Sequence, residues 1–296
     1  MIKRMDTIDG KFYTPSKEGS VALVVSAFQP NENSSTLLRI AIDSMLKFKP
    51  DYADIWIVDV GSPDSEFKVV PKEYPSVNFV ISDYIPRSRN DQSWRRKLLD
   101  KLLFKQAPRS GAYANAWTLD FAIRSFNNVQ YSPKYFMTLQ MDIMFTSKNT
   151  IPHMLSLFDK NTAAVGVRQQ KNLSKSYDIL HSLGCIWNYG IYTKLGLSME
   201  TKLPKFDTGE FAIVEAIDQG YNIKNLECSY SSPSIVDTFS NKYKKLKGVD
   251  RSIDTEGNVI FMHLGRGIDK SVGTYQMSGK TTISGWQLWF DTYIQQ

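Results

Sequence analysis

Runs of apolar residues set the rhythm of this chain. Val21–Ala27 (VALVVSA) is short, rich in valine and apolar almost throughout. A strand with one wet face would alternate, so this run predicts a central strand covered on both sides. The period then changes. Leu37, Ala41, Met45 and Phe48 recur at near-helical spacing, Asn33 or Ser34 stands where an N-cap belongs, and Pro50 closes the helix. Residues 54–59 (DIWIVD) and 77–81 (VNFVI) predict two further strands. Residues 111–125 read as a buried helix, Tyr135–Gln140 (YFMTLQ) as a fourth strand and 163–167 as a short fifth. Residues 211–219 read as a helix stopped by Gly220, and Val259–His263 (VIFMH) as a late strand. Strand, helix, strand in this order predicts an α/β fold, a Rossmann-like, mostly parallel central sheet with helices on both faces. No internal repeat or Pro/Gly/Ser linker interrupts it. Residues 1–235 form the expected core, and 236–296 a more irregular, aromatic C-terminal extension with Trp286, Trp289 and Phe290 near its end.

Composition narrows the class. With 296 residues, 42% of them hydrophobic, and only 17 Gly and 12 Pro, disordered, collagen-like and low-complexity chains are excluded. The formal net charge of +6 is not spread evenly. Residues 87–109 hold eight basic side chains (Arg87, Arg89, Arg95, Arg96, Lys97, Lys101, Lys105 and Arg109) and two acids, and the rest of the chain has 28 of each sign. Trp94, Leu98, Leu99, Leu102 and Leu103 fall among these bases at helical spacing, which describes a basic amphipathic helix. It packs on the core with a solvated face, rests on an anionic membrane surface, or tracks nucleic-acid phosphates. Lys242, Lys244, Lys245, Lys247 and Arg251 either extend that surface or form a mobile solvated loop. Two lone cysteines, Cys185 and Cys228, predict buried thiols in a reducing compartment. Without a basic cap and apolar run at the start, or a window of about 20 apolar residues, the expected location is cytoplasmic, with no signal peptide or transmembrane segment.

Ligands of an open parallel sheet bind beyond the carboxyl ends of its strands. Those ends carry Ser26, Ala27 and Phe28, then Asp59, then Gln140, Met141 and Asp142. Acidic groups at two strand ends suit a nucleotide: one accepts hydrogen bonds from base or ribose, the other holds a cation on the phosphates. Asp59 also fits a plain turn, since Gly61 follows. Asp142 sits between apolar neighbours, where a solvated loop acid does not belong.

Taken in order, VALVVSAFQPN, IWIVDVGSPDS, GAYANAWTLDFAI, YFMTLQMDIMF, FDTGE ahead of GYNI, and VIFMHLGRG resemble the landmarks of family 2 glycosyltransferases with a GT-A fold, across roughly residues 20–265. The resemblance implies a nucleotide-sugar donor over the sheet, with Ser26, Ala27, Phe28 and Asp59 at the base and Gln140 and Asp142 near ribose, phosphates and metal. Gln140 departs from the family's Asp-x-Asp pattern, which leaves Asp142 as the one anionic ligand there and weakens the expected hold on Mn²⁺ or Mg²⁺. The resemblance makes His263 a further metal or phosphate ligand, and Arg266 is placed to neutralise the leaving diphosphate. His153 and His181 are read as structural or surface residues. Asp207 and Glu210 are the candidate catalytic bases, with helix capping as the alternative for either.

The expected activity is inverting transfer of a sugar from the donor to an acceptor hydroxyl, by default on a saccharide or lipid-linked glycan. Glycosylation of a hydroxymethyl base in DNA is the alternative, since the basic segment, an insertion at about 83–110, lies near the expected active-site rim. Arg87, Arg89, Arg95, Arg96, Lys97 and Lys101 would then contact the acceptor, a nucleic acid or a membrane surface. A non-catalytic sugar-nucleotide-binding module is the reading from another class, and Gln140 is its best support.

Overall fold

The computed structural model describes residues 21–81, 110–129, 131–168, 179–181, 184–202, 205–275 and 278–295. Seven strands form the central sheet: β1 (Val21–Ala27), β2 (Ala53–Asp59), β3 (Asn78–Ile81), β4 (Tyr135–Gln140), β6 (Thr162–Val167), β7 (Cys185–Asn188) and β8 (Asn222–Leu226). Their spatial order is β3-β2-β1-β4-β7-β6-β8. All neighbours are parallel except β7, which runs antiparallel to both β4 and β6. A second sheet, antiparallel, joins β5 (Ile143–Phe145), β10 (Val259–His263) and β9 (Asp250–Ile253) in that order. The helices are α1 (Glu32–Phe48), α2 (Ser110–Asn128), α3 (Thr150–Ser156), α4 (Tyr189–Lys194), α5 (Glu210–Asp218), α6 (Asn241–Lys244), α7 (Gly267–Ser271) and α8 (Ile283–Tyr293).

The continuous apolar run of β1 is explained by where its alternate side chains go. Val21, Leu23 and Val25 pack with Leu37, Leu38 and Met45 of α1 on one face. Ala22 and Val24 join Trp56, Val58 and the α2 residues Leu119, Ile123 and Phe126 on the other. Both faces are dry, as the expected α/β layering requires. The N-cap of α1 is Asn31, not Asn33 or Ser34. Its side chain accepts from the Ser34 N–H while Ser34 Oγ accepts from the Asn31 N–H, so Ser34 is the third-position partner in a capping box. Lys49, held extended ahead of Pro50, ends the helix.

The described residues after 235 pack into the same core. The α8 residues Trp286, Trp289 and Phe290 are buried in the cluster that also holds α1, and the Trp289 indole N–H donates to the Lys242 carbonyl (2.8 Å). The lysine-rich run is neither a mobile loop nor, at Arg251, a surface. Lys245 Nζ donates to the Tyr293 hydroxyl (2.9 Å) and the Lys247 N–H to Thr281 Oγ1 (2.8 Å). Arg251 is buried, and its guanidinium donates to the carbonyls of Val249 (2.5 Å), Leu246 (2.5 Å) and Tyr243 (2.6 Å). Both cysteines are free and buried, and burial pushes Cys228 up to about 11. Among the described residues no helix is long and apolar enough to cross a membrane.

Candidate active site

From β1 the chain moves outward to β2 and β3, then returns to the opposite side of β1 with β4. The carboxyl ends of β1 and β4 therefore flank a topological switch point, where loops diverge and leave a crevice. Register brings the expected residues level: Ala27 pairs with Asp59, and Ser26 lies between Val58 and Gln140. Ser26, Ala27 and Phe28 form one lip of the crevice, and Gln140, Met141 and Asp142 the other. The Phe28 N–H closes across it onto Met141 Sδ at 3.5 Å.

Asp59 serves its turn and its lip at once. Oδ1 accepts from the Ser62 N–H at 2.6 Å, which is the turn reading, while Oδ2 faces Lys68 Nζ at 3.6 Å. Ser62 Oγ in turn accepts from the Gln29 N–H, and Gln29 Oε1 from the Val69 N–H. These bonds lock the loops after β1 and β2 together beneath the crevice.

Asp142 joins the two sheets. It stands in the turn between β4 and β5, only 2% exposed. Its carbonyl accepts from the Leu264 N–H at 3.0 Å and its Oδ2 from the Gly267 N–H at 2.9 Å. Its Oδ1 lies 3.3 Å from His263 Nε2, close enough for an ion pair, though neither atom has a partner in hydrogen-bond geometry. His263, at the end of β10, has its other nitrogen 3.8 Å from Asp250 Oδ2. Burial alone would raise the Asp142 carboxyl, but the His263 charge and the Gly267 N–H outweigh it and hold the group below its ordinary value. Burial likewise opposes charge on His263, yet facing Asp142 and then Asp250 pushes it up to about 10.

The loop that presents Gly267 is unusual. Arg266 has φ 54°, the only described residue other than glycine with positive φ, and this left-handed step turns the following N–H toward Asp142. The Arg266 guanidinium, half-exposed, lies 3.7 Å from Asp269 and over the Tyr275 ring at 4.9 Å. A Cβ at Gly267 would stand 2.5 Å from the Asp142 Cβ and 2.9 Å from Oδ2, and the Cβ, fixed to the backbone, cannot swing away. Gly267→Ala is therefore expected to cost about 1–3 kcal/mol from overpacking and to displace the carboxylate without changing any charge. Urea denaturation combined with donor binding checks this, and a variant as stable and as active as the parent would contradict the close approach.

Asp207 and Glu210 do meet at the start of α5, but in different environments. Glu210 is 1% exposed, and its Oε2 accepts from the Asp207 N–H at 2.8 Å. Asp207 is half-buried, with Oδ1 accepting from the Thr208 N–H at 2.7 Å. Thr208 Oγ1 donates to the Ala112 carbonyl, which ties this turn to α2.

His181 packs beside this cluster. Its ring lies 6.2 Å from that of His263 and 5.8 Å from that of Tyr230, and its backbone N–H donates to the Val167 carbonyl at 2.7 Å. Burial, and then the His263 charge, lower it to about 4 against the pull of Asp207, Asp250 and Glu210, so it is neutral near pH 7. His181 thus lies beside His263 and within electrostatic reach of Asp207 and Glu210. No local pattern marks it, because strands far apart in sequence bring it there. His153 is buried on α3, as a structural residue would be. Arg87, Arg89, Arg95, Arg96, Lys97 and Lys101 lie outside the described residues.

Among the described residues no group of three or more His, Cys, Asp or Glu side chains is arranged to hold a metal ion. Asp142 Oδ1 and His263 Nε2 nevertheless fit part of a ligand set, being two buried donor atoms that face one space without hydrogen-bonding each other. A cation there would take one carboxylate and a neutral imidazole from the protein and the rest of its ligands from phosphate oxygens or water.

No protein-family model matches the chain, and no curated protein matches it. It is similar in fold to several solved structures. One is the mannosyltransferase PcManGT from Pyrobaculum calidifontis in complex with GDP-Man and Mn²⁺, at 14% identity and TM-score 0.46, covering 75% of this chain and 58% of that one. Another is S. aureus TarS 1-349 in complex with UDP-GlcNAc, at 12% identity and TM-score 0.42, covering 70% and 56%. A third is glucosyl-3-phosphoglycerate synthase from Mycobacterium tuberculosis with Mn²⁺, UDP and glucosyl-3-phosphoglycerate, at 10% identity and TM-score 0.41, covering 70% and 69%. The present chain thus spans a little over half the length of the first two.

Proposed function

We propose that this chain is an inverting glycosyltransferase that uses a nucleotide-sugar donor. The observation that carries the reading is Asp142, a buried carboxylate paired with His263 at the switch point of a mostly parallel sheet, with Ser26, Phe28, Asp59 and Gln140 on the same rim. That placement suits a nucleoside diphosphate: base and ribose toward Ser26 to Phe28 and Asp59, phosphates toward Asp142. Gln140 has an amide to offer a ribose hydroxyl. Asp142 and His263 would hold the divalent cation, whose chemistry is to neutralise charge on the departing diphosphate. The exposed Arg266 guanidinium adds a second positive group for it.

Asp207 is assigned as the base and Glu210 as its support. Glu210 is spent on the Asp207 N–H and sealed from solvent, whereas Asp207 is open enough to meet an acceptor. In the transfer, the acceptor oxygen attacks the anomeric carbon from the face opposite the leaving group. The bond to the diphosphate oxygen breaks, and the acceptor proton passes to Asp207. Asp207→Asn should lower kcat about 10²- to 10⁴-fold with little change in donor KM. Glu210→Ala should mainly lower stability, by about 1–3 kcal/mol for the Asp207 N–H left without its acceptor. An Asp207→Asn enzyme with undiminished kcat would refute the assignment.

The reading as a whole is tested by thermal unfolding with UDP-, GDP-, CDP- and TDP-sugars, with and without Mn²⁺. A true donor at 100 times its Kd stabilises by about 2.7 kcal/mol. If no nucleotide sugar raises the midpoint, the proposal fails. Stabilisation without any turnover would instead favour the non-catalytic binding module.

A further inference from the structure

One buried carboxylate lies outside the site yet holds the turn that carries Asp207. Asp120, on α2, is 9% exposed and sits about 12 Å further along the helix than Ala112. Its Oδ1 accepts from the Met199 N–H at 2.8 Å and the Tyr192 hydroxyl at 3.1 Å, and its Oδ2 from the Ser198 hydroxyl at 2.5 Å. Arg124, one turn further on and largely exposed, comes within 3.7 Å of Oδ2. Burial pushes the Asp120 carboxyl above its ordinary value, and these four groups offset that only in part. Three of the donors come from one stretch, residues 192–199, so the carboxylate pins that stretch to α2.

Met199 passes the hold on. It is fully buried, and while its N–H goes to Asp120 its carbonyl accepts from the Gly209 N–H at 3.0 Å. Lys202 and Phe206 exchange both backbone bonds at 3.0 Å, so residues 199–209 close into a loop with Asp207 on the returning arm. Gly209, at φ 69°, caps α5, and Glu210 after it takes the Asp207 N–H. Thr208 Oγ1 donates to the Ala112 carbonyl at 3.0 Å. Helix α2 thus grips the turn of Asp207 twice, directly at Ala112 and, from Asp120, through Met199 and Gly209. A base must come within about 2.6–3.2 Å of the hydroxyl whose proton it takes, and a misplacement of about 1 Å can cost about 10²-fold in rate. We infer that Asp120 is a positioning residue for the transfer: through Met199 and Gly209 it sets where the Asp207 carboxylate stands, without itself touching donor or acceptor. The inference rests on the reading of Asp207 as the base.

Amide hydrogen exchange and kinetics on the intact chain test it together. Asp120→Ala should speed exchange of the Gly209 N–H about tenfold or more relative to the amides of β1. It should lower kcat about 10- to 10²-fold while donor KM stays near the parental value. Asp120→Asn keeps an oxygen for Met199 and Tyr192 and offers its amide to the Ser198 hydroxyl, so it should restore both. Tyr192→Phe removes a bond to the same carboxylate but leaves the path through Met199, and should cost stability without lowering kcat. On an Asp207→Asn background Asp120→Ala should change kcat little, because a base already disabled loses nothing by displacement, whereas a general loosening would lower both backgrounds alike. If Asp120→Ala does not fold, Asp120→Ser, too short to reach the Met199 N–H, takes its place. The inference is overturned if the Gly209 N–H stays protected, if Asp120→Asn fails to restore kcat, or if the loss is the same in both backgrounds. Any of these results in a chain that transfers sugar and needs Asp207 refutes this inference alone. A parent that transfers no sugar, or an Asp207→Asn variant with full kcat, refutes the reading it rests on, and the inference falls with it.

Discussion

Asp142→Asn is expected to lower sugar transfer about 10²- to 10³-fold, the scale on which one preorganised electrostatic group acts on a charged transition state. The replacement keeps the shape and an oxygen for the Gly267 N–H, so the turn between the sheets should persist and the loss should trace to charge. Stability should fall as well, in a pH-dependent way. In the parent, His263 is raised from 6.5 to about 10 and Asp142 is lowered from 3.8. A raised histidine stabilises fully below its unfolded value and loses that contribution as pH climbs toward 10. A lowered carboxylate contributes above its unfolded value. The pair is thus worth most between about pH 4 and 6.5. The gap between parent and Asp142→Asn should be widest near pH 5 to 6 and shrink toward pH 10. It should stay below the 3–5 kcal/mol of a stranded buried charge, because His263 can release its proton. Urea titrations at several pH values would show this, and a gap that widened with pH would rule out the pairing.

The largest loss of stability is expected from Arg251, a residue that touches no reacting group. Its guanidinium donates to three carbonyls at once in the segment that leads into β9, those of Val249, Leu246 and Tyr243, with Phe239 against its face. Arg251→Met fills much of the space but takes the donor from two buried carbonyls, those of Val249 and Leu246, at about 1–3 kcal/mol apiece; the Tyr243 carbonyl keeps the Leu246 N–H. A total of 3 kcal/mol or more would lower the melting temperature by roughly 6–12 °C for a chain of this size. Arg251→Lys should recover little, because one ammonium cannot reproduce a planar fork that reaches three oxygens. A lysine variant with parental stability would show that the fork is not needed.

What could be read from the chain beforehand, and what could not, follows from how locally each feature is encoded. Strands β1 and β4 were legible to the residue, because a run of buried side chains on both faces leaves its mark in consecutive positions. β8 (NIKNL) was not: as an edge strand half open to solvent it carries no apolar signature. β5 and β9 are three and four residues long, too short to show a period. The positions of the rim residues were legible because the carboxyl ends of parallel strands share one edge of the sheet. His181 and the partnership of Asp142 with Gly267 were not, since both are made by contacts across the whole fold. Arg251 was misplaced for the opposite reason: five cations in one stretch look like a surface, and only packing shows that one of them is a strut.

Asp142 and Gly267 are 125 positions apart, and His263 and Asp250 arrive in the same late stretch of chain. On the ribosome, the lips built from β1, β2 and β4 emerge long before the residues that hold the carboxylate in place. For that interval the nascent protein carries a half-made donor crevice with an unmatched acid at its edge. The crevice should therefore be completed abruptly, once residues 250–267 have emerged, rather than grow as the sheet assembles.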